Sequence, residues 1–192
     1  MIHLIAHSRG DTLLSRIIDA LSQVRGAFSV VLLTDGGIIA ARDPHGFRPL
    51  CLGRLRESWL VASETCAFDL IGAEVVREIE PGELVVLNEA GVTSYKPFTK
   101  TKPAMCVFEY VYFSRPDSKI FGNKAVYLIR KALGRQLAQE SHVKADIVIP
   151  VPDSGVPAAL GYSEGSGIPF ENGLIRNHYI GRTFIEPEQA IR

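Results

Sequence analysis

The sequence contains little cysteine, and its cysteines are not arranged as a disulfide or metal framework. The three that it has, Cys51, Cys66 and Cys106, are odd in number and widely separated. Disulfide scaffolds and self-contained zinc sites need even or closely spaced sets. We therefore expect a protein of a reducing compartment, in which any metal bound through Cys106 takes its other ligands from elsewhere.

An excess of one charge and long apolar runs are missing as well. Lys plus Arg and Asp plus Glu both number 21, so the formal net charge is zero and no polyanion-binding surface is indicated. The longest apolar runs, such as 28–33, are too short to cross a bilayer, and polar residues interrupt the N-terminal segment where a signal peptide would be apolar. These absences predict a cytoplasmic protein that binds neither nucleic acid nor membrane.

The first 95 or so residues have the pattern of a mainly antiparallel sheet with helices packed on it. Helical spacing of apolar residues is broken at Arg9-Gly10-Asp11, which predicts two helices, with Asp11 as N-cap of the second. The turn signal Asp35-Gly36-Gly37 predicts a β-hairpin between 26–34 and 38–41. Short apolar runs predict further strands at 50–52, 59–62, 75–79 and 83–87, and a short helix at 66–71.

A polar, proline-containing stretch at 96–103 has the composition of a connector, and we place a domain boundary near residue 100. A strand from Cys106 to Phe113 and a turn at 115–117 are predicted to follow it. A long helix is predicted next. Its apolar face is marked by Val126, Ile129, Leu133 and Leu137, and its solvated face by Arg130, Lys131 and Arg135.

The remainder has an α/β pattern. Residues 145–151 are apolar apart from Asp146 and show no alternation, which is typical of a parallel strand covered on both faces. The loop at 152–155 then leads into a helix of small residues at 157–160. This order of strand, loop and helix predicts an α+β region followed by an α/β region.

Two segments have the chemistry of an anion site. Backbone N–H groups at the start of the helix after Asp153, Ser154 and Gly155 can hold a phosphate or a metal-phosphate complex. Ser154 can either contact the metal or cap the helix, and capping is the more frequent role of such a serine. The segment 176–183 combines cations with a flexible glycine, which suits a mobile cover over an anionic substrate and equally an ordinary surface loop.

Three further polar positions have mainly structural interpretations. His45 lies in a turn marked by Asp43-Pro44 and Gly46. Glu109 lies in an apolar segment, so we expect it to be paired, with Arg115 as the candidate partner. Cys106, taken alone, is more typical of a small buried hydrophobe than of a metal ligand.

As an ordered set these residues resemble the glutamine phosphoribosylpyrophosphate amidotransferases, also called amidophosphoribosyltransferases, of purine synthesis. The resemblance covers nearly the whole chain. It rests on Gly26-Ala-Phe-Ser, Ala41-Arg-Asp-Pro-His-Gly-Phe-Arg-Pro-Leu50, Val61-Ala-Ser-Glu64, Pro81-Gly-Glu83, Cys106-Val-Phe-Glu-Tyr-Val-Tyr-Phe-Ser-Arg-Pro-Asp-Ser118, Val151-Pro-Asp-Ser154 and Asn177-His-Tyr-Ile-Gly-Arg-Thr-Phe-Ile185.

The resemblance implies a two-domain enzyme. An N-terminal-nucleophile glutaminase domain of αββα architecture, whose C-terminal part would be residues 1–100, releases ammonia from glutamine. A type I phosphoribosyltransferase domain, whose linker and N-terminal part would be residues 101–192, uses that ammonia to displace pyrophosphate from phosphoribosylpyrophosphate. The expected substrates are glutamine and phosphoribosylpyrophosphate, the expected cofactor is Mg²⁺, and a homo-oligomer is expected.

The resemblance also implies site residues. Ser154 matches a magnesium-associated hydroxyl, and Asp153 and Gly155 belong to the loop that handles pyrophosphate. Residues that match the loop closing over phosphoribosylpyrophosphate are Asn177, Tyr179, Arg182 and Thr183. Cys106 matches the first cysteine ligand of the 4Fe-4S cluster in one branch of the family, although members without a cluster also carry a cysteine here, and the other ligands would lie beyond residue 192.

Some expected parts of the family pattern are not in the sequence. The family's nucleophile is an N-terminal cysteine, whereas Met1 is followed here by Ile2, and no asparagine precedes Asn88. The Asp-Asp pair of type I phosphoribosyltransferases is missing too. We therefore expect no catalytic nucleophile in this chain and no activity of the chain alone. The alternative is a non-catalytic phosphate-binding or regulatory protein derived from the family.

Overall fold

The computed structural model describes residues 1–179, 181 and 187–189. The chain divides into two compact units, Met1–Val126 and Tyr127–Arg192. Residues that follow the connector at 96–103 are still hydrogen-bonded to the first unit. The amide of Ala104 donates to His45 O (2.8 Å), and the amide of Lys119 donates to Thr65 Oγ1 (2.9 Å). The division between the compact units lies at Val126 and Tyr127, and the domain boundary near residue 100 stays a prediction.

The first unit contains three α-helices, a π-helical turn and nine strands within the described residues. The helices are α1 (Ile2–His7), α2 (Leu13–Gln23) and α3 (Cys66–Ile71). The strands are β1 (Ser29–Thr34), β2 (Gly37–Arg42), β3 (Cys51–Leu55), β4 (Ser58–Ala62), β5 (Glu74–Glu78), β6 (Leu84–Asn88), β7 (Gly91–Tyr95), β8 (Lys119–Ile120) and β9 (Lys124–Ala125). The predicted hairpin, the helix at 66–71 and the two N-terminal helices are confirmed.

The predicted antiparallel pairing is confirmed. The strands form two main sheets, as in the αββα architecture that the resemblance implies, and not the single sheet that the apolar pattern indicated. Their strand orders are β1-β2-β6-β7 and β4-β3-β5. Neighbouring residues of β6 alternate between two cores: Leu84 packs with α2, and Val85 packs with the second sheet. Phe68 of α3 covers Gly53 on β3 so closely that a Cβ at Gly53 would lie 2.8 Å from its ring. The order of layers is helices, sheet, sheet, helix.

The N-cap of α2 is Thr12, so the prediction of Asp11 was wrong. The Thr12 hydroxyl accepts a hydrogen bond from the amide of Ser15 (3.1 Å), and the Ser15 hydroxyl accepts one from the amide of Thr12 (3.0 Å). This reciprocal arrangement satisfies two helix-end donors at once, which a cap at Asp11 would not do.

A buried carboxylate, Glu83, joins the two ends of the β5–β6 connection. Its oxygens accept two hydrogen bonds from the Arg77 guanidinium (2.7 and 2.8 Å), one from the Ser94 hydroxyl (2.6 Å) and one from the amide of Glu80 (2.7 Å). Burial by itself raises the pKa of Glu83, but these hydrogen bonds outweigh it and hold the pKa below its ordinary value. Glu83 is therefore ionised in the folded protein.

This arrangement predicts acid sensitivity of the first unit. Because the folded-state pKa of Glu83 is depressed, the carboxylate stabilises the fold above its unfolded pKa of about 4.3, and that contribution is lost as the pH falls through the lower folded value. We expect Glu83→Gln to flatten the decline in unfolding free energy below about pH 4.3. Denaturant titrations across this range measure it, with Glu89→Gln at an exposed turn as the control. Equal slopes in both variants would contradict the prediction.

The segment predicted as a strand from Cys106 to Phe113 is helical, so that prediction was wrong. Residues Glu109–Phe113 form a π-helical turn, closed by a hydrogen bond from the amide of Ser114 to Glu109 O (3.1 Å). A short apolar run does not by itself distinguish a buried strand from a helical turn. The predicted turn at 115–117 is confirmed, since the amide of Ser118 bonds to Arg115 O (3.1 Å).

The second unit is built around two helices that cross at very short distance, α4 (Val126–Glu140) and α5 (Val156–Ser166). A Cβ on Gly134 would lie 1.9 Å from Ala158 O, and a Cβ on Gly161 would lie 1.9 Å from Lys131 O. Only glycine permits this approach at either position. Close to this crossing, Glu164 of α5 pairs with Lys131 (2.5 Å) and with Arg135 of α4.

The buried face of α4 differs from the predicted one. The buried residues Val126, Arg130, Gly134 and Ala138 follow each other at intervals of four, whereas Leu133 and Leu137 are exposed. Arg130, predicted on the solvated face, is fully buried. The prediction failed because the buried face of α4 contains Arg130 and Gly134, which a search for apolar side chains does not detect.

The predicted strand at 145–151 is present only as extended chain. Val148 forms a single parallel bridge with Phe170, and the apolar side chains of Ile147, Ile149 and Val151 are exposed. In the described residues the second unit thus has helices beside one parallel bridge. Its assignment to the start of a phosphoribosyltransferase domain stays a prediction.

Candidate functional site

The motif at 42–48 forms a turn that is held by hydrogen bonds of Arg42 and Asp43. The buried Asp43 carboxylate accepts hydrogen bonds from the amides of Phe28, His45 and Phe47. The Arg42 guanidinium donates to three carbonyls, those of Arg48 (2.8 Å), Ile79 (2.6 Å) and Gly46 (3.1 Å). The structural interpretation of His45 as a turn residue is confirmed.

Glu109 is paired with Arg48, so the predicted pairing with Arg115 was wrong. The Arg48 Nε lies 2.7 Å from Glu109 Oε1, and the Ser114 hydroxyl donates to Glu109 Oε2 (2.6 Å). Arg115 instead pairs with Asp117 (2.9 Å). Because the π-helical turn replaces the expected strand, Glu109 points toward the 42–48 motif. The sequence does contain Arg48 in the 42–48 motif. That motif was interpreted only as a turn, so Arg48 was not considered as a partner of Glu109.

Glu64, which follows β4, holds the chain just after the π-helical turn. One of its carboxylate oxygens accepts hydrogen bonds from the amide of Arg115 and from the Ser118 hydroxyl, both at 2.7 Å. The neighbouring Thr65 hydroxyl accepts one from the amide of Lys119 (2.9 Å). The π-helical turn is thus held at its start by Arg48 and at its end by Glu64.

A cleft of about 350 Å³ opens between these groups, lined by Ala27, Phe28, Ser29, Arg48, Pro49, Ser63, Glu64, Glu109 and Phe113. The Arg48 guanidinium lies 4.3 Å from the centre of the Phe113 ring, in the geometry of a cation–π contact. The cleft presents charges of both signs beside aromatic surface, which is suited to a small polar molecule.

The loop before α5 holds the predicted phosphate-site residues of the second unit. Gly155 is the N-cap of α5, and no side chain caps the helix, so Ser154 does not have the capping role that its residue type favours. The Asp153 carboxylate accepts a hydrogen bond from Arg176 (3.2 Å). The structure therefore brings the 152–155 loop together with the beginning of the 176–183 segment.

Of the predicted cover residues, two can be located. The Asn177 side chain accepts a hydrogen bond from the amide of Tyr179 (2.9 Å), and the Tyr179 side chain is fully exposed. Arg182 and Thr183 lie outside the described residues. The described part of the segment is an exposed turn next to the Asp153–Arg176 pair.

The described residues do not assemble a metal-cluster site. Among them no group of three or more His, Cys, Asp or Glu side chains is close enough to hold a metal ion. Cys106 is half-buried and its amide donates to Phe47 O (2.9 Å). Burial, with the Glu78 carboxylate adding to it, raises the pKa of Cys51 to about 12, so that thiol is neutral. A 4Fe-4S cluster at Cys106 stays a prediction, because its other ligands were expected outside these residues.

No helix in the described part of the chain has the length and apolarity needed to span a membrane.

Comparison with known proteins first shows similarity to the glutamine amidotransferases. Residues 1–69 match the family model of a glutamine amidotransferase domain, which agrees with the layered sheets of the first unit. The chain is 50% identical to the amidophosphoribosyltransferase of Rhizobium etli over 100% of this chain and 40% of that protein. It is 52% identical to the chloroplastic amidophosphoribosyltransferase 1 of Arabidopsis thaliana over 100% of this chain and 34% of that protein.

A solved structure gives the same result. The glutamine phosphoribosylpyrophosphate amidotransferase of Bacillus subtilis, determined with ADP and GMP, matches with a TM-score of 0.89 and 49% identity over 99% of this chain and 42% of that one. The chain is similar to amidophosphoribosyltransferases along its whole length, and the predicted resemblance is confirmed. It spans 34 to 40% of the length of the curated relatives named above.

Proposed function

We propose that this chain is part of an amidophosphoribosyltransferase of purine biosynthesis. The reaction converts glutamine, phosphoribosylpyrophosphate and water to phosphoribosylamine, glutamate and pyrophosphate. The observation that carries the proposal is identity of about one half to such enzymes along the entire chain, together with the shared fold. The comparisons do not favour the alternative of a non-catalytic phosphate-binding protein.

We propose that the phosphate-binding loop is Asp153-Ser154-Gly155, and that Asn177, Tyr179, Arg182 and Thr183 cover the substrate. Support comes from the second unit itself, where the Asp153–Arg176 contact joins the loop to the segment that carries the cover residues. The positive end of the α5 helix dipole lies at the start of α5, next to this loop.

The residues of the loop fit a magnesium ion that accompanies a diphosphate. Ser154 offers a hydroxyl that is not used as a helix cap, and Asp153 offers a carboxylate. Oxygen ligands of this kind are what Mg²⁺ prefers, and it usually keeps several waters beside them. When bound, the ion would neutralise charge on the diphosphate. The residues of this chain hold and orient that group.

The finer assignments form part of the same proposal. Residues 1–100 are assigned to the glutaminase domain, and residues 101–192 to the linker and the start of the phosphoribosyltransferase domain. The three free cysteines are consistent with a cytoplasmic setting, and a homo-oligomer is expected. Cys106 is kept as a candidate ligand of a 4Fe-4S cluster whose other ligands would come from outside the described residues.

A segment exchange tests the function. We expect a Bacillus subtilis amidophosphoribosyltransferase whose matching segment is replaced by this chain to form phosphoribosylamine from glutamine. In that chimera Ser154→Ala should lower kcat/KM for phosphoribosylpyrophosphate about tenfold, because one hydrogen bond to a charged group is lost. Ser141→Ala, at an exposed position after α4, is the matched control and should have no effect. A folded but inactive chimera, or equal effects of both variants, would contradict the proposal.

A further inference from the structure

The end of the connector and the residues after it are bonded along the turn at 42–48. Three donors of residues 101–106, which we call the docked segment, reach three carbonyls of that turn. The bonds run from Thr101 Oγ1 to Pro44 O (2.6 Å), from the amide of Ala104 to His45 O (2.8 Å) and from the amide of Cys106 to Phe47 O (2.9 Å). Amides and acceptors that are each two residues apart are typical of neighbouring extended chains. The docked segment is therefore held in one register on the turn.

A buried arginine fixes the direction of the carbonyls on this turn. Gly46 O (3.1 Å) and Arg48 O (2.8 Å) accept hydrogen bonds from the Arg42 guanidinium. The carbonyls that alternate with these, His45 O and Phe47 O, accept hydrogen bonds from the docked segment. Successive carbonyls thus point alternately to the buried arginine and to the docked segment. Because all four are engaged, the turn is a rigid support for the residues that follow the connector.

Arg48, the last residue of the turn, makes the next contact along the same stretch of chain. Its Nε lies 2.7 Å from Glu109 Oε1, and its guanidinium lies 4.3 Å from the centre of the Phe113 ring. The Glu109 side chain is only 3% exposed, whereas that of Arg48 is 40% exposed. A carboxylate buried to this degree is costly without a cationic partner. The pair therefore fixes the place of the π-helical turn just beyond the docked segment.

We infer that Arg48 is a positioning residue, which through Glu109 aligns the two halves of the proposed reaction. The inference rests on the proposed function. Under that assignment Arg48 belongs to residues 1–100, the part that releases ammonia from glutamine. Glu109 belongs to residues 101–192, the part that begins the site where ammonia is used. The docked segment joins the same two parts through its backbone, and the ion pair completes the alignment.

Such a role has a selective effect on the reaction. Ammonia must pass from the site that releases it to the site that consumes it, and a small misplacement of reacting groups costs up to about a hundredfold in rate. Hydrolysis of glutamine depends on the first site only. The reaction of phosphoribosylpyrophosphate with ammonia from solution depends on the second site only. Loss of the Arg48–Glu109 pair should therefore lower ammonia transfer more than it lowers either partial reaction.

The chimera with the Bacillus subtilis enzyme tests this effect. In Arg48→Met we expect the rate of phosphoribosylamine formation from glutamine, divided by the rate from added ammonium salt, to fall about tenfold. Arg115→Met is the matched control, because Arg115 lies in the same part of the chain but its pair with Asp117 is exposed on both sides, and its ratio should not change. An unchanged ratio in Arg48→Met would overturn this inference alone. An unsubstituted chimera that is inactive with both nitrogen sources would overturn the proposed function and this inference with it.

A double substitution separates positioning from a loss of folding. Arg48→Met leaves the buried Glu109 carboxylate without its cation, whereas Arg48→Met combined with Glu109→Gln leaves no unpaired charge there. Because the two residues act as one unit, the double variant should show the same fall of about tenfold in the ratio as Arg48→Met. A ratio that falls much further in the double variant, or one that returns to the wild-type value, would contradict a role through this pair.

Hydrogen exchange in this chain tests the structural step without any enzymatic activity. The amide of Ser114, which is bonded to Glu109 O, should exchange at least about tenfold faster in Arg48→Met than in the wild type. The amides of Ala104 and Cys106 should keep their rates, because their acceptors are backbone carbonyls of the turn. Unchanged exchange at Ser114 would show that the π-helical turn does not need Arg48, and the inference would fail.

Discussion

Replacing Arg42 by methionine is expected to lower the unfolding free energy of the first unit by about 3–5 kcal/mol, because it removes a buried charged partner. The side chain is 2% exposed, and its guanidinium donates to the carbonyls of Arg48, Ile79 and Gly46. Methionine fills similar volume but leaves these acceptors without a donor, and each unsatisfied buried acceptor costs about 1–3 kcal/mol.

Arg54→Met is the control for this change. Arg54 also carries an ion pair, with Glu57, but both side chains reach solvent, and exposed pairs contribute about 0–1 kcal/mol. Urea denaturation followed by tryptophan fluorescence of Trp59 measures both variants. Similar urea midpoints for the two variants would contradict a stabilising role of the Arg42 hydrogen bonds in the turn at 42–48.

Replacing Gly161 by alanine is expected to destabilise the second unit by about 3 kcal/mol, at the upper end of the usual cost of overpacking. The new methyl group would lie 1.9 Å from Lys131 O, so the backbones of α4 and α5 must move apart. The intrinsic helix preference of alanine offsets only about 1 kcal/mol of this cost.

Gly165→Ala on the same helix is the comparison. There the new Cβ would lie 3.0 Å from the Ala138 methyl group and 3.2 Å from Arg135 O, so small adjustments suffice and we expect a change within about 1 kcal/mol. Hydrogen exchange of the amides in α4 and α5 reports on this unit directly. Equal exchange rates in Gly161→Ala and the wild type would refute the close helix crossing.

Local signals predicted much of the first unit. The helix at 66–71 was placed at its observed bounds, and the hairpin around Asp35-Gly36 followed from its turn residues, because both depend on residues that are neighbours in sequence. The segment from Cys106 failed for the opposite reason. Its helical turn is fixed by Arg48 and Glu64, which are distant in sequence and cannot be paired with it by inspection.

The candidate sites show the same limit. Asp153 and Arg176 were both recognised as parts of anion-binding segments, but their contact depends on how the chain returns after α5. Arg42 and Arg130 were not predicted to be buried, because arginine is normally exposed and only tertiary hydrogen bonds can make its burial favourable. The apolar run at 145–151 predicted a covered strand, yet such a strand needs neighbours on both sides.

The groups that anchor the π-helical turn are less exposed than the aromatic side chains that the turn carries. Of the fastening groups, Glu109 is buried and Glu64 is half-buried, whereas the rings of Phe108 and Tyr112 are about half exposed. The scaffold that fixes the turn is therefore largely separate from the aromatic surface that it displays. Side chains on that surface can change what the protein touches while the fold beneath them keeps its shape.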